Sequence, residues 1–69
     1  MKPAELLRRL RRVAARRGVA IEISEGSNHT KVEFGGRRTV VGRHPGDLKT
    51  GTLHGILRQL GLTVGDIEG

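Results

Sequence analysis

VAIEISEGSNHTKVEFGGRRTVVG, residues 19–42, is the stretch on which the fold turns. Val19, Ile21 and Ile23 stand against Ala20 and Glu22, so 19–23 reads as a strand with one buried face. Glu25-Gly26-Ser27-Asn28 supplies turn chemistry. Over 29–34 the alternation resumes, with Thr30, Val32 and Phe34 on one side and Lys31 and Glu33 on the other. Gly35-Gly36 then signals a two-residue hairpin, because the favoured turn needs positive φ at both central residues. Arg37 to Val41 returns as a third strand. Three antiparallel strands with a single apolar face follow from this pattern.

That face needs a cover, and the flanking segments provide one. Leu6, Leu7, Leu10, Val13 and Ala14 recur at helical spacing, which predicts a helix over 3–17. Pro3 suits its first position and Gly18 its end. Leu53, Ile56, Leu57 and Leu60 predict a second helix over about 50–60, stopped by Gly61, with Thr50 or Thr52 as its cap. Residues 63–69 are left as a short tail or a final turn. The expected fold class is α+β, in the order α-β-β-β-α, with two helices on one face of a three-stranded antiparallel sheet. This arrangement resembles the double-stranded-RNA-binding domain. One domain spans 1–69, with its core in about 4–62.

Composition narrows the function. The chain has 69 residues, 35% of them apolar, and Phe34 is its one aromatic. A core of this size leaves no room for a large cofactor or a second domain. Recognition by stacking bases on aromatic rings is poorly served, whereas backbone recognition by Arg and Lys is well served. Without cysteine there is no disulfide, thiol catalysis or cysteine zinc site, which fits a cytoplasmic protein. No apolar run is long enough to span a membrane. Lys+Arg number 13 and Asp+Glu 7, for a net charge of +6. The excess is local. Residues 1–18 hold Lys2, Arg8, Arg9, Arg11, Arg12, Arg16 and Arg17 against Glu5, while the remainder nets zero. A basic stripe on one element points to a polyanion or an acidic partner. Arg8, Arg9, Arg12 and Arg16 are its candidate contacts with RNA or a protein.

Several stretches carry chemistry. In Gly26-Ser27-Asn28-His29 an imidazole follows a glycine turn into a strand, where it can act as general base near neutral pH. Arg43-His44-Pro45-Gly46 places a second imidazole in a loop after the third strand. Lys49 precedes the second helix, whose first amides suit phosphate. Lys31, Arg37, Arg38, Arg43 and Lys49 are the candidate RNA-binding cations. Lys31, Arg37, Arg38 or Arg43 would steady charge on a phosphoryl group. Ser27, Lys31 and His44 are candidates for catalytic support. His54 reads as a solvated helix residue. His29, His44 and His54, with no carboxylate at ligand spacing, do not form a metal site, and no cofactor is expected.

These motifs in this order, together with Gly51-Thr52-Leu53 and Ile56-Leu57-Arg58-Gln59-Leu60-Gly61-Leu62, resemble the HicA-type toxins of bacterial and archaeal toxin–antitoxin pairs. The resemblance implies a metal-independent mRNA interferase of type II systems, inhibited by a HicB antitoxin that covers the RNA site. It implies His29 as the catalytic residue. Many members have two consecutive His here, where this chain has Asn28 before His29. Members commonly carry an aromatic where Val19 stands. Two rival readings use the same residues: a non-catalytic RNA-binding module, and a protein-interaction domain.

Overall fold

The computed structural model describes residues 1–42 and 46–68. It contains α1 (Pro3–Arg17), β1 (Ile21–Glu25), β2 (His29–Phe34), β3 (Arg37–Gly42), α2 (Thr50–Gln59) and α3 (Val64–Glu68). The strands form one antiparallel sheet in the order β1-β2-β3. The result is the α-β-β-β-α layout of a double-stranded-RNA-binding-domain-like fold, with one short helix added at the end.

Side-chain alternation assigns the two sheet faces. Thr30, Val32, Phe34, Thr39 and Val41 are buried under the helices, together with Leu6, Leu10, Val13 and Ala14 of α1 and Ile56 and Leu57 of α2. The two buried hydroxyls are satisfied. Thr30 donates to the Glu25 carboxylate and Thr39 to the Gln59 side-chain oxygen, so neither pays the cost of an unpaired buried polar group. Among the described residues no helix covers the opposite sheet face, where Glu22, Ser24, Lys31, Arg38 and Val40 are exposed.

β1 starts two residues later than the alternation suggests, and the end of α1 explains why. Gly18 takes φ 65°, its N–H bonds the Ala15 carbonyl, and the Val19 N–H bonds the Ala14 carbonyl. This pair of bonds closes the helix and consumes Val19 before it can join the sheet. The β2–β3 turn is as expected, with Gly35 at φ 56° and Gly36 at φ 88°. Gly35 is also a point of close approach: a Cβ there would lie 2.9 Å from Val19 Cγ1.

α2 corrects one expectation. Its N-cap is Lys49, with no side-chain hydrogen bond, so Thr50 and Thr52 do not cap it. Thr50 is already the first helical residue, one position too late to reach back over the free amides. The Leu48 N–H bonds the Met1 carbonyl at 2.8 Å, which ties the approach to α2 against the start of α1.

Residues 64–68 form α3, whose Ile67 is buried and joins the core. Thr63 and Asp66 cap each other: the Thr63 N–H bonds Asp66 Oδ2 at 2.8 Å and the Asp66 N–H bonds Thr63 Oγ1 at 3.3 Å. Asp66 also pairs with the Arg17 guanidinium at 2.8 Å. The Thr63 backbone hydrogen bond, helped by Arg17, holds the Asp66 carboxyl below its usual range. A carboxyl lowered on folding stabilises above its unfolded pKa, and that contribution disappears as pH falls through the folded value. Acidification below about pH 4 is therefore expected to loosen α3 on α1. Amide exchange at Ile67 measured at pH 5 and pH 2.5 checks this, and Asp66→Asn should remove most of the difference.

Candidate active site

The register places His29 with unusual openness. As the first residue of β2 it pairs with Gly42 of β3, and on its other side its carbonyl accepts the Gly26 N–H at 2.7 Å. Both lateral neighbours are thus glycines, and no side chain flanks the imidazole across the ladder. The approach on the Gly26 side is tight, since a Cβ at Gly26 would lie 3.0 Å from the His29 carbonyl oxygen. Thr30 points into the core, so His29 stands on the open sheet face, exposed to solvent. Ser27 and Asn28 form the adjoining turn and are exposed as well.

Lys31 shares that face, two residues along β2. It pairs with Ser24 of β1 and Val40 of β3. The next row holds Glu22, Glu33 and Arg38, with Arg38 Nε 3.3 Å from Glu33 Oε2. Moving along β2, the open face therefore passes from imidazole to ammonium to two carboxylates and one paired guanidinium. Among the described residues no three His, Asp or Glu side chains converge as a metal ligand set.

The proposed cations are not brought together. Arg38 pairs with Glu33 and Arg37 with Phe34, at the hairpin end of the sheet. At about 3.3 Å per residue they lie roughly 13 and 17 Å along the strand from His29. Arg37 instead lies over Gly61, where an added Cβ would sit 3.2 Å from its Cζ. The register thus sets both apart from His29, at the opposite end of the strands. α2 ends beside β3, where Thr39 donates to Gln59 and Arg37 lies over Gly61, so Lys49 at its start points toward the other end of the strands. Arg43 and His44 fall outside the described residues.

The α1 cations divide by partner. Arg8 and Arg9 both bond the Glu5 carboxylate, Arg9 at 2.9 Å. The Arg9 hydrogen bond, with Arg8 beside it, holds the Glu5 carboxyl below its usual range. Arg16 donates to the Asp66 carbonyl at 3.2 Å. Arg11 and Arg12 are exposed, and none of the ion pairs among the described residues engages them.

Glycines 26 and 42 beside His29 escape a reading of the sequence for reactive side chains. A signal for Gly42 was present, however. A two-residue turn at 35–36 makes Phe34 face Arg37, and counting outward sets His29 opposite Gly42.

Among the described residues, these features define the class: a small α+β domain with the His29 imidazole on the open sheet face and a strongly basic first helix. Relatives narrow the class. The chain is 48% identical over 44 residues to proteins from two strains of Escherichia coli named "Probable mRNA interferase HicA" and "Probable mRNA interferase toxin HicA". These matches cover 62% of this chain and 76% of each relative. A Photorhabdus laumondii protein named "Probable mRNA interferase HicA 1" is 40% identical over 43 residues, covering 61% of this chain and 75% of the relative. The chain belongs to the HicA family of mRNA interferase toxins. No family model matches the sequence, and the search of solved structures found no match to the chain. None of the helices among the described residues is long and apolar enough to cross a membrane.

Proposed function

We propose that this chain is the toxin of a type II toxin–antitoxin pair and cleaves mRNA on the open face of its sheet, with His29 as general base. The observation that supports this best is the placement of His29, exposed between two glycines with Lys31 next on the same face. With glycines as its two lateral partners, the imidazole is open to a ribose and its phosphodiester.

In the proposed reaction the neutral imidazole takes the proton of a ribose 2′-hydroxyl. O2′ forms a bond to the adjacent phosphorus, the bond from phosphorus to O5′ breaks, and the departing oxygen takes a proton from the His29 imidazolium or from water, which the imidazolium then re-protonates. The products are a 2′,3′-cyclic phosphate and a 5′-hydroxyl. Lys31 supplies positive charge to the phosphoryl oxygens as negative charge builds there. Ser27, in the turn beside His29, is a further group within the neighbourhood of the substrate.

Charge along the sheet supports a direction for the RNA. The Glu22 and Glu33 carboxylates beyond Lys31 repel a phosphate track running along the strands. The backbone therefore leaves over the His29 end of the sheet, toward Lys49 at the start of α2. A HicB-type antitoxin inhibits, on this reading, by covering His29 and Lys31.

The test uses end-labelled RNA in excess EDTA. Cleavage to fragments ending in cyclic phosphate is the expected result. A requirement for an added divalent ion would overturn the metal-independent mechanism. A shifted but uncut RNA would favour a binding module, and no interaction with RNA would favour a protein-docking domain.

A further inference from the structure

We propose that the outer face of α1 is a second RNA-binding surface, separate from the His29 site, which holds the RNA backbone outside the segment being cut. This inference rests on the reading of the chain as an RNA-cleaving enzyme.

Geometry separates the two surfaces. Leu6, Leu10, Val13 and Ala14 turn α1 toward the sheet. Arg8, Arg11, Arg12 and Ala15 are exposed on the side of the helix away from it. His29 and Lys31 occupy the far face of the same sheet. Both layers of the fold therefore stand between Arg12 and His29. A nucleotide seated at the imidazole cannot also touch Arg12, so the α1 cations are not part of the catalytic subsite.

Charge gives this surface its ligand class. All of the net +6 charge resides in residues 1–18. Glu5 neutralises part of the first turns and Asp66 part of the last. Arg11 and Arg12 remain between these two compensated ends. Arg8 and Arg12 are four residues apart, about 6 Å along the axis at 1.5 Å per residue, and form a row of guanidinium groups along the helix.

The face also lacks what a protein partner would need. Protein interfaces draw their energy from large apolar or aromatic anchors at a desolvated centre. The only apolar side chains on this side of α1 are Ala4 and Ala15. Binding to a phosphate backbone has no such requirement, because release of counterions by cationic side chains supplies the affinity. RNA is thus the polyanion this surface fits.

The experiment replaces Arg8, Arg11 and Arg12 together by Gln, which keeps good helix propensity. Binding is measured by fluorescence anisotropy in the His29→Ala background, with a 40-nucleotide single-stranded RNA over a range of salt. Cleavage of a six-nucleotide RNA is measured with His29 intact. For the long RNA we expect affinity to fall at least tenfold at low salt and the salt slope to flatten by about 2, given roughly 0.7 per single-strand phosphate contact. Cleavage of the short RNA should stay within twofold of the unsubstituted protein. An equal loss on the short RNA would overturn the proposal by making the face part of the catalytic track. Unchanged binding of the long RNA would overturn it too, leaving the face to an acidic protein or to solvent. Should the unsubstituted protein cut neither RNA, the proposed activity fails, while the binding arm still decides the fate of the α1 surface.

Discussion

His29→Ala should reduce RNA cleavage by at least about 100-fold, in line with the 10²–10⁴-fold that a positioned general base contributes. Toxicity in cells should be lost with it. The fold should survive, because the side chain is exposed and supports no packing. Substitutions at such positions change stability by no more than about 0.5 kcal/mol. Two measurements decide the matter: the single-turnover rate on a labelled RNA, and the thermal midpoint of the same preparation. Unimpaired cleavage by clean His29→Ala protein would remove the imidazole from the mechanism. A slow but folded variant would locate the chemistry at the start of β2. The contrast between the readouts is the informative part, since a structural histidine would lower both.

Ile67→Ala should lower stability markedly. A five-residue helix cannot persist by its own hydrogen bonds. α3 is held by its capping pair, by the Asp66–Arg17 contact and by Ile67, which is 2% exposed against the core. Truncating a buried Ile to Ala costs about 2–5 kcal/mol. A domain of this size has only about 3–5 kcal/mol in hand, so the variant should be largely unfolded or melt about 10–30 °C lower. Ile67→Leu, which conserves volume, should lose less than about 1.5 kcal/mol. A melting shift under 2 °C for the Ala variant would instead mean that α3 lies outside the cooperative unit.

Much of the architecture was legible because burial leaves a local signature. The alternation of Thr30, Val32 and Phe34 identified the buried face of β2, and by the same parity the open face of His29 and Lys31. The glycine pair at 35–36 identified the turn and, through it, the whole β2–β3 register. That register also separates Arg37 and Arg38 from His29. Their nearness to it in the chain suggested a shared site, although a hairpin sends residues just past its turn to the far end of the sheet. Val19 misled for a different reason: its apolar side chain fits a strand, while its N–H is spent on the end of α1. Thr50 and Thr52 have the right chemistry for a cap but stand inside the helix rather than before it. The role proposed for His29 does not follow from the tetrapeptide alone and rests on the family resemblance carried by the order of motifs along the chain.

The sequence by itself determined the first five elements, the apolar face of the sheet and the concentration of charge in the first helix. Each of these is a property of neighbouring residues, written as a period of two, a period of about 3.6 or a run of like charge. The tertiary structure alone decided what those elements do for one another. It docked residues 64–68 onto α1 through Ile67 and Asp66, a contact between chain ends that no local period encodes. It also put the arginines of α1 and the imidazole on opposite sides of a two-layer body. Periodicity states which side of an element is buried, whereas only packing states which exposed sides end up facing the same ligand.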